Sequence, residues 1–92
     1  MLKAIYTKKY EKSLRKYKEL QKFSVSKLED VLIKLQNQIP LDKKFQDHPL
    51  NGKLSHQREC HIYPDILLVY EVVKGELILV LVNLGSHSEL FK

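Results

Sequence analysis

The stretch RECHIYPDILLVYEVVKGELILVLVNL, residues 58–84, decides the fold. It holds three strand-length runs separated by two turn signals. Arg58 to Ile62 is the first run, Pro64 and Asp65 form a turn, and Ile66 to Val73 is the second run. Lys74, Gly75 and Glu76 make a hairpin turn before the third run, Leu77 to Leu84. The last two runs are apolar with little alternation, the pattern of strands buried on both faces at the centre of a sheet.

Working outward, residues 40–56 read as a loop, with Pro40, Pro49, Asn51 and Gly52 as turn formers. Upstream are two amphipathic patterns. In the first, Thr7 can cap a helix that runs to about Gln21, with Tyr10, Leu14, Tyr17 and Leu20 as its apolar stripe. Lys8, Lys9, Lys12, Arg15, Lys16 and Lys18 occupy the rest of that surface, ordinarily a solvated face. In the second, Ser26 to Glu29 fits a capping box, and Leu28, Val31, Leu32, Leu35 and Ile39 mark one face up to Pro40. Residues 2–6 suit a short strand, and Gly85 to Lys92 read as a short polar tail. The expected architecture is α+β: two N-terminal helices packed on a small, mainly antiparallel sheet, in a single domain spanning residues 1–92.

Sixteen Lys and Arg against eleven Asp and Glu leave a net charge of +5, which favours an acidic partner such as nucleic acid. The single cysteine, Cys60, rules out an internal disulfide and suits a reducing compartment. No apolar run is long enough to span a bilayer, and the N-terminus lacks the pattern of a secretory signal. A cytoplasmic protein with no membrane partner is expected.

All four histidines lie in the second half: His48, His56, His61 and His87. A lone surface histidine is ordinarily a solvated polar residue. Several near turns and strand ends are also what proton transfer at neutral pH needs. Zinc sites usually announce themselves by local His or Cys pairs, and none is present; no metal or cofactor is expected. Cys60 and His61 are adjacent, so in a strand they face opposite ways. Glu59 and His61 share one face, and Arg58, Cys60 and Ile62 share the other, where Cys60 and Ile62 look like core.

Three motifs carry a resemblance. They are Asp47-His48-Pro49-Leu50-Asn51-Gly52, then Arg58 through Asp65, then Gly85-Ser86-His87-Ser88-Glu89-Leu90-Phe91. In this order and at this spacing, the chain resembles the YafQ-type toxins of the RelE/ParE superfamily. The resemblance implies a RelE-like fold and metal-independent endonucleolytic cleavage of mRNA, in many relatives on the ribosome. It also implies an antitoxin that wraps the toxin and blocks the site. Carried over residue by residue, His48, His61, Asp65, His87 and Phe91 match the catalytic set. Lys53 and Arg58 are further candidates for holding RNA. One departure is Ile66, where YafQ-type proteins often carry a Trp that stacks on RNA.

The implied chemistry is physically coherent. RNA carries its own nucleophile, the 2′-hydroxyl, so a base, an acid and positive charge near the phosphate suffice. His87 is read as the acid, either His48 or Asp65 as the base, and His61 as a stabiliser of the charged phosphate. Phe91 would stack on a base or anchor the tail. The competing reading is a non-catalytic basic module of the same fold that binds RNA or the antitoxin.

Overall fold

The computed structural model describes residues 1–91; Lys92, the end of the expected tail, lies outside them. The elements are β1 (Lys3–Tyr6), α1 (Lys8–Lys18), α2 (Val25–Gln36), β2 (His48–Pro49), β3 (Arg58–Tyr63), β4 (Ile66–Val73), β5 (Ile78–Gly85) and α3 (His87–Leu90). The strands form one sheet in the order β1-β5-β4-β3-β2. Only β1 and β5 run parallel; the other pairs are antiparallel. The α+β expectation, two helices on a mainly antiparallel sheet, describes this architecture.

The core lies between the helices and one face of the sheet. Tyr10 and Tyr17 of α1 and Leu28, Val31 and Leu35 of α2 are buried with Cys60, Ile62, Leu68, Tyr70, Leu79, Leu81 and Leu84 of the sheet. Each deeply buried Leu, Ile or Val stabilises the fold by about 1.5–3 kcal/mol relative to exposure. Burial on both faces is realised in β4, where Leu67, Leu68, Val69 and Tyr70 are all enclosed. It fails in β5, where Leu79 and Leu81 are buried but Ile78, Val80 and Val82 are only half-covered, because the core occupies one face there. A β-bulge between His61 and Tyr63 sets Ile62 and Tyr63 both against the core cluster.

The helix limits depart from the sequence reading in instructive ways. Thr7 caps α1 as expected, accepting from the Tyr10 N–H at 3.1 Å. The helix stops at Lys18 rather than Gln21, and Leu20 is left half-exposed outside the core. The start of α2 is set by Ser24, not Ser26: the Ser24 hydroxyl accepts from the Lys27 N–H at 3.3 Å. Buried Phe23 and the Tyr63 hydroxyl, which accepts from the Ser24 N–H at 2.8 Å, fix that choice. Gln38 turns left-handed at φ 55°, so Ile39 swings out half-exposed instead of extending the apolar face. Leu77, expected to open the third strand, also takes a left-handed φ of 55° and is exposed.

The region 40–56 is mostly loop, but its two residues of β2 pair with β3, His48 opposite Glu59 and Pro49 opposite Arg58. Proline is tolerated there because β2 is the sheet's edge. The polar tail holds one turn of helix. Ser86 and Glu89 close a capping box around α3, the motif expected at Ser26 and Glu29.

Cys60 is fully buried, and burial pushes its thiol up to about 12, with Asp47 and Glu59 adding to the effect. Alkylation by iodoacetamide at about pH 8.5 should therefore be slow in the native protein and fast in urea, since the thiolate is the nucleophile. Cys60→Ser should lower stability by about 1–3 kcal/mol, the cost of burying a hydroxyl without a partner. A native thiol reacting at the unfolded rate would contradict this placement.

Candidate active site

Alternation along β3 sends Cys60 into the core and leaves Glu59 and His61 on the opposite face. The β2–β3 pairing then sets His48 beside Glu59, with Nε2 and Oε1 2.9 Å apart. The Glu59 side chain is only 9% exposed, and its Oε2 has no hydrogen-bond partner among the described residues. The other ring nitrogen of His48, Nδ1, stands 3.0 Å from the Pro49 carbonyl oxygen. Both ring nitrogens of His48 thus face oxygen atoms.

His48 is held from behind. Asp47 Oδ1 accepts from the Tyr70 hydroxyl at 2.5 Å and from Arg58 Nε at 3.3 Å. Burial and this acceptor raise the Tyr70 phenol well above the usual tyrosine range. The chain entering β2 is therefore tied to β3 and β4 one residue before His48.

The tail supplies another wall of the site. His87 opens α3 and its ring packs against Phe91, four residues on, with centroids 5.1 Å apart. His48, Glu59, His87 and Phe91, with Leu50 and Leu54, line one crevice of about 280 Å³. Glu89 fastens this tail to α1 through Tyr17 and Lys16. Lys16, the Ser86 N–H and Tyr17 together pull the Glu89 carboxyl down to about 2.

Three of the five residues expected to be catalytic, His48, His87 and Phe91, thus share one crevice. His61 follows Glu59 along the same strand face but lines a separate crevice with Lys27 and Lys44, its Nδ1 3.3 Å from the Pro64 carbonyl oxygen. Asp65 lies at the β3–β4 turn and lines an apolar groove with Tyr17, Phe23, Tyr63, Ile66 and Ser86. Lys53 sits exposed in the 3-10 turn of residues 52–54. Arg58, the other candidate for holding RNA, stands apart from the His48 crevice. It sits on the helix-side face, tied to Asp47, and lines a different crevice with Tyr70 and His56. Glu59 was missed as a site residue. Its signal was legible: a carboxylate on the same strand face as His61, within a motif of otherwise recognisable residues. Among the described residues, no three His, Cys, Asp or Glu side chains are grouped as a metal ion would need.

The family described as bacterial toxin of type II toxin–antitoxin system, YafQ, has a sequence profile that matches residues 2–92. The chain belongs to the YafQ family. It is 29% identical over 86 residues to the mRNA interferase toxin YafQ of Escherichia coli K12, covering 94% of this chain and 87% of that protein. A solved metal-bound toxin from Helicobacter pylori is 46% identical with a TM-score of 0.92, over 99% of this chain and all of that one. The toxin fold seen in an E. coli DinJ–YafQ complex superposes with a TM-score of 0.87 at 25% identity, covering both chains completely.

The Asp47 tether makes a direct prediction. Asp47→Ala removes the acceptor of two donors and should cost about 1.5–3 kcal/mol in urea unfolding, as for hydrogen bonds to a charged group. It should also broaden or shift the His48 ring signals in NMR spectra. Unchanged stability together with unchanged His48 signals would show that the tether does not hold β2.

Proposed function

We propose that this protein is a toxin that cleaves mRNA by metal-independent acid–base catalysis. The observation carrying this reading is the crevice itself: a histidine paired with a buried carboxylate faces a second histidine, with an aromatic ring beside it.

In the proposed reaction, His48 takes the proton from the 2′-hydroxyl of RNA as that oxygen attacks the adjacent phosphorus. With Nε2–H donated to Glu59, Nδ1 is the nitrogen left to accept it, once the ring turns Nδ1 from the Pro49 carbonyl toward the entering 2′-hydroxyl. The imidazolium so formed meets Glu59 on one side and the Pro49 carbonyl on the other, a pre-set environment for the developing charge. Glu59 Oε2 is itself shut off from the surface, so Glu59 orients and stabilises His48 and does not meet the substrate. His87 gives a proton to the leaving 5′-oxygen. The products are a 2′,3′-cyclic phosphate and a 5′-hydroxyl. His61, with Lys27 and Lys44 beside it, supplies positive charge for the phosphate backbone. Phe91 stacks on a base, a contact worth about 1–3 kcal/mol. Asp65 is the weaker candidate for the base, because it lines a separate groove.

The E. coli relative is called an mRNA interferase, which supports mRNA as the substrate. The lysine- and arginine-rich face of α1 suits ribosomal RNA, so we infer that cleavage takes place on the ribosome. The DinJ–YafQ complex supports a cognate antitoxin for this chain. A reducing, cytoplasmic setting fits these partners.

The test uses the purified chain with free mRNA, with and without EDTA, and with translating ribosomes in magnesium buffer, which intact ribosomes need. Cuts should persist in EDTA and fall by about 100-fold or more in His87→Ala, the loss expected for one acid–base group. EDTA-sensitive cleavage would sink the metal-free mechanism, and folded protein that cuts neither substrate would favour a binding module.

A further inference from the structure

We propose that Glu89 is a positioning residue: its carboxylate fastens α3 to α1 and so sets where His87 and Phe91 stand in the crevice. The inference rests on the ribonuclease reading only for its rate measurement.

One turn of helix does not hold itself in water. No residue of α3 is fully buried, so apolar packing alone does not supply the missing stability. Glu89 does, through both oxygens. Oε1 accepts from the Ser86 N–H at 2.9 Å, while the Ser86 hydroxyl accepts from the Glu89 N–H at 3.2 Å. The same Oε1 accepts from the Tyr17 hydroxyl at 2.5 Å, reaching a residue 72 positions away in the chain. Oε2 meets the Lys16 ammonium. Tyr17 is a core side chain, so this end of the tether is rigid.

Direction matters as much as strength. Glu89 follows His87 by two residues, and side chains two apart on a helix do not face each other. With Glu89 drawn to α1, His87 is turned to the other side, where it meets Phe91 and the crevice with His48. Gly85 keeps the approach open, since a Cβ there would stand 3.3 Å from Glu89 Oε1.

The experiment compares the full chain with Glu89→Ala, Glu89→Gln and Tyr17→Phe. In Glu89→Ala the single-turnover rate on RNA should fall by about 100-fold, the scale set by a displacement near 1 Å, and RNA affinity should fall as well, as the Phe91 stack is lost. Glu89→Gln keeps an oxygen for the Ser86 N–H and the Tyr17 hydroxyl and should recover most of the rate. Without RNA, NMR should show the His87–Phe91 ring contact in the wild type. It should also show slow exchange of the Leu90 and Phe91 amides, which donate to the Ser86 and His87 carbonyls. Both signals should vanish in Glu89→Ala and persist in Glu89→Gln. These signals decide the question even if the wild type cuts no RNA, which would refute the ribonuclease reading instead. If Glu89→Ala does not fold, Tyr17→Phe should show a smaller loss of amide protection; full protection there would overturn the tether. A folded Glu89→Ala protein that keeps the ring contact, or its full rate, would overturn the proposal. So would a Glu89→Gln protein that keeps the contact but loses the rate, since Glu89 would then act in the chemistry itself.

Discussion

Everything about the crevice depends on the two-residue alternation of β3. Cys60 and Ile62 are buried against the helices, so Glu59 and His61 must face the other way. A slip of one residue would exchange the two sets, placing a carboxylate and an imidazole in the apolar core. The buried cluster around Cys60, Leu68 and Leu81 therefore does more than hold the sheet to its helices. It selects which residues of the motif from Arg58 to Asp65 are free for chemistry.

A carboxylate as enclosed as Glu59 is costly unless something pairs with it. His48 provides that pairing, and β2 exists to bring it there. The support runs through the sheet: Tyr70 of β4 and Arg58 of β3 hold Asp47, which holds the chain before His48. His87 arrives from the far end of the chain on one turn of helix. Two short, intrinsically weak elements thus carry the facing histidines, each fixed by an acidic side chain bonded to a tyrosine hydroxyl of the core.

The fold was legible where pattern is long. The apolar runs of residues 58–84 and the stripe of Tyr10, Leu14 and Tyr17 marked three of the strands and the first helix. The two-residue strand and the one-turn helix were not. Two residues give β2 no period to read, and Pro49 signalled only a turn. The capping-box signature was read at Ser26 and Glu29, where Phe23 and Tyr63 move the helix start to Ser24, and not at Ser86 and Glu89, where it forms. The motifs singled out His48, His87 and Phe91, which share a crevice, together with His61 and Asp65, which line others. Alternation put Glu59 on the His61 face, but its pairing with His48 was not legible, because the two-residue β2 that brings His48 opposite it leaves no pattern in the sequence.

The chemistry of the cut ends tests the central claim most directly. RNA cleaved by the purified toxin should be mapped for its termini. Attack by the 2′-hydroxyl between His48 and His87 leaves a 2′,3′-cyclic phosphate, or the monophosphate it opens to, and a 5′-hydroxyl on the downstream fragment. Fragments bearing 5′-phosphate and 3′-hydroxyl ends would mean that water, not the RNA itself, is the nucleophile, and would contradict the mechanism drawn from this crevice.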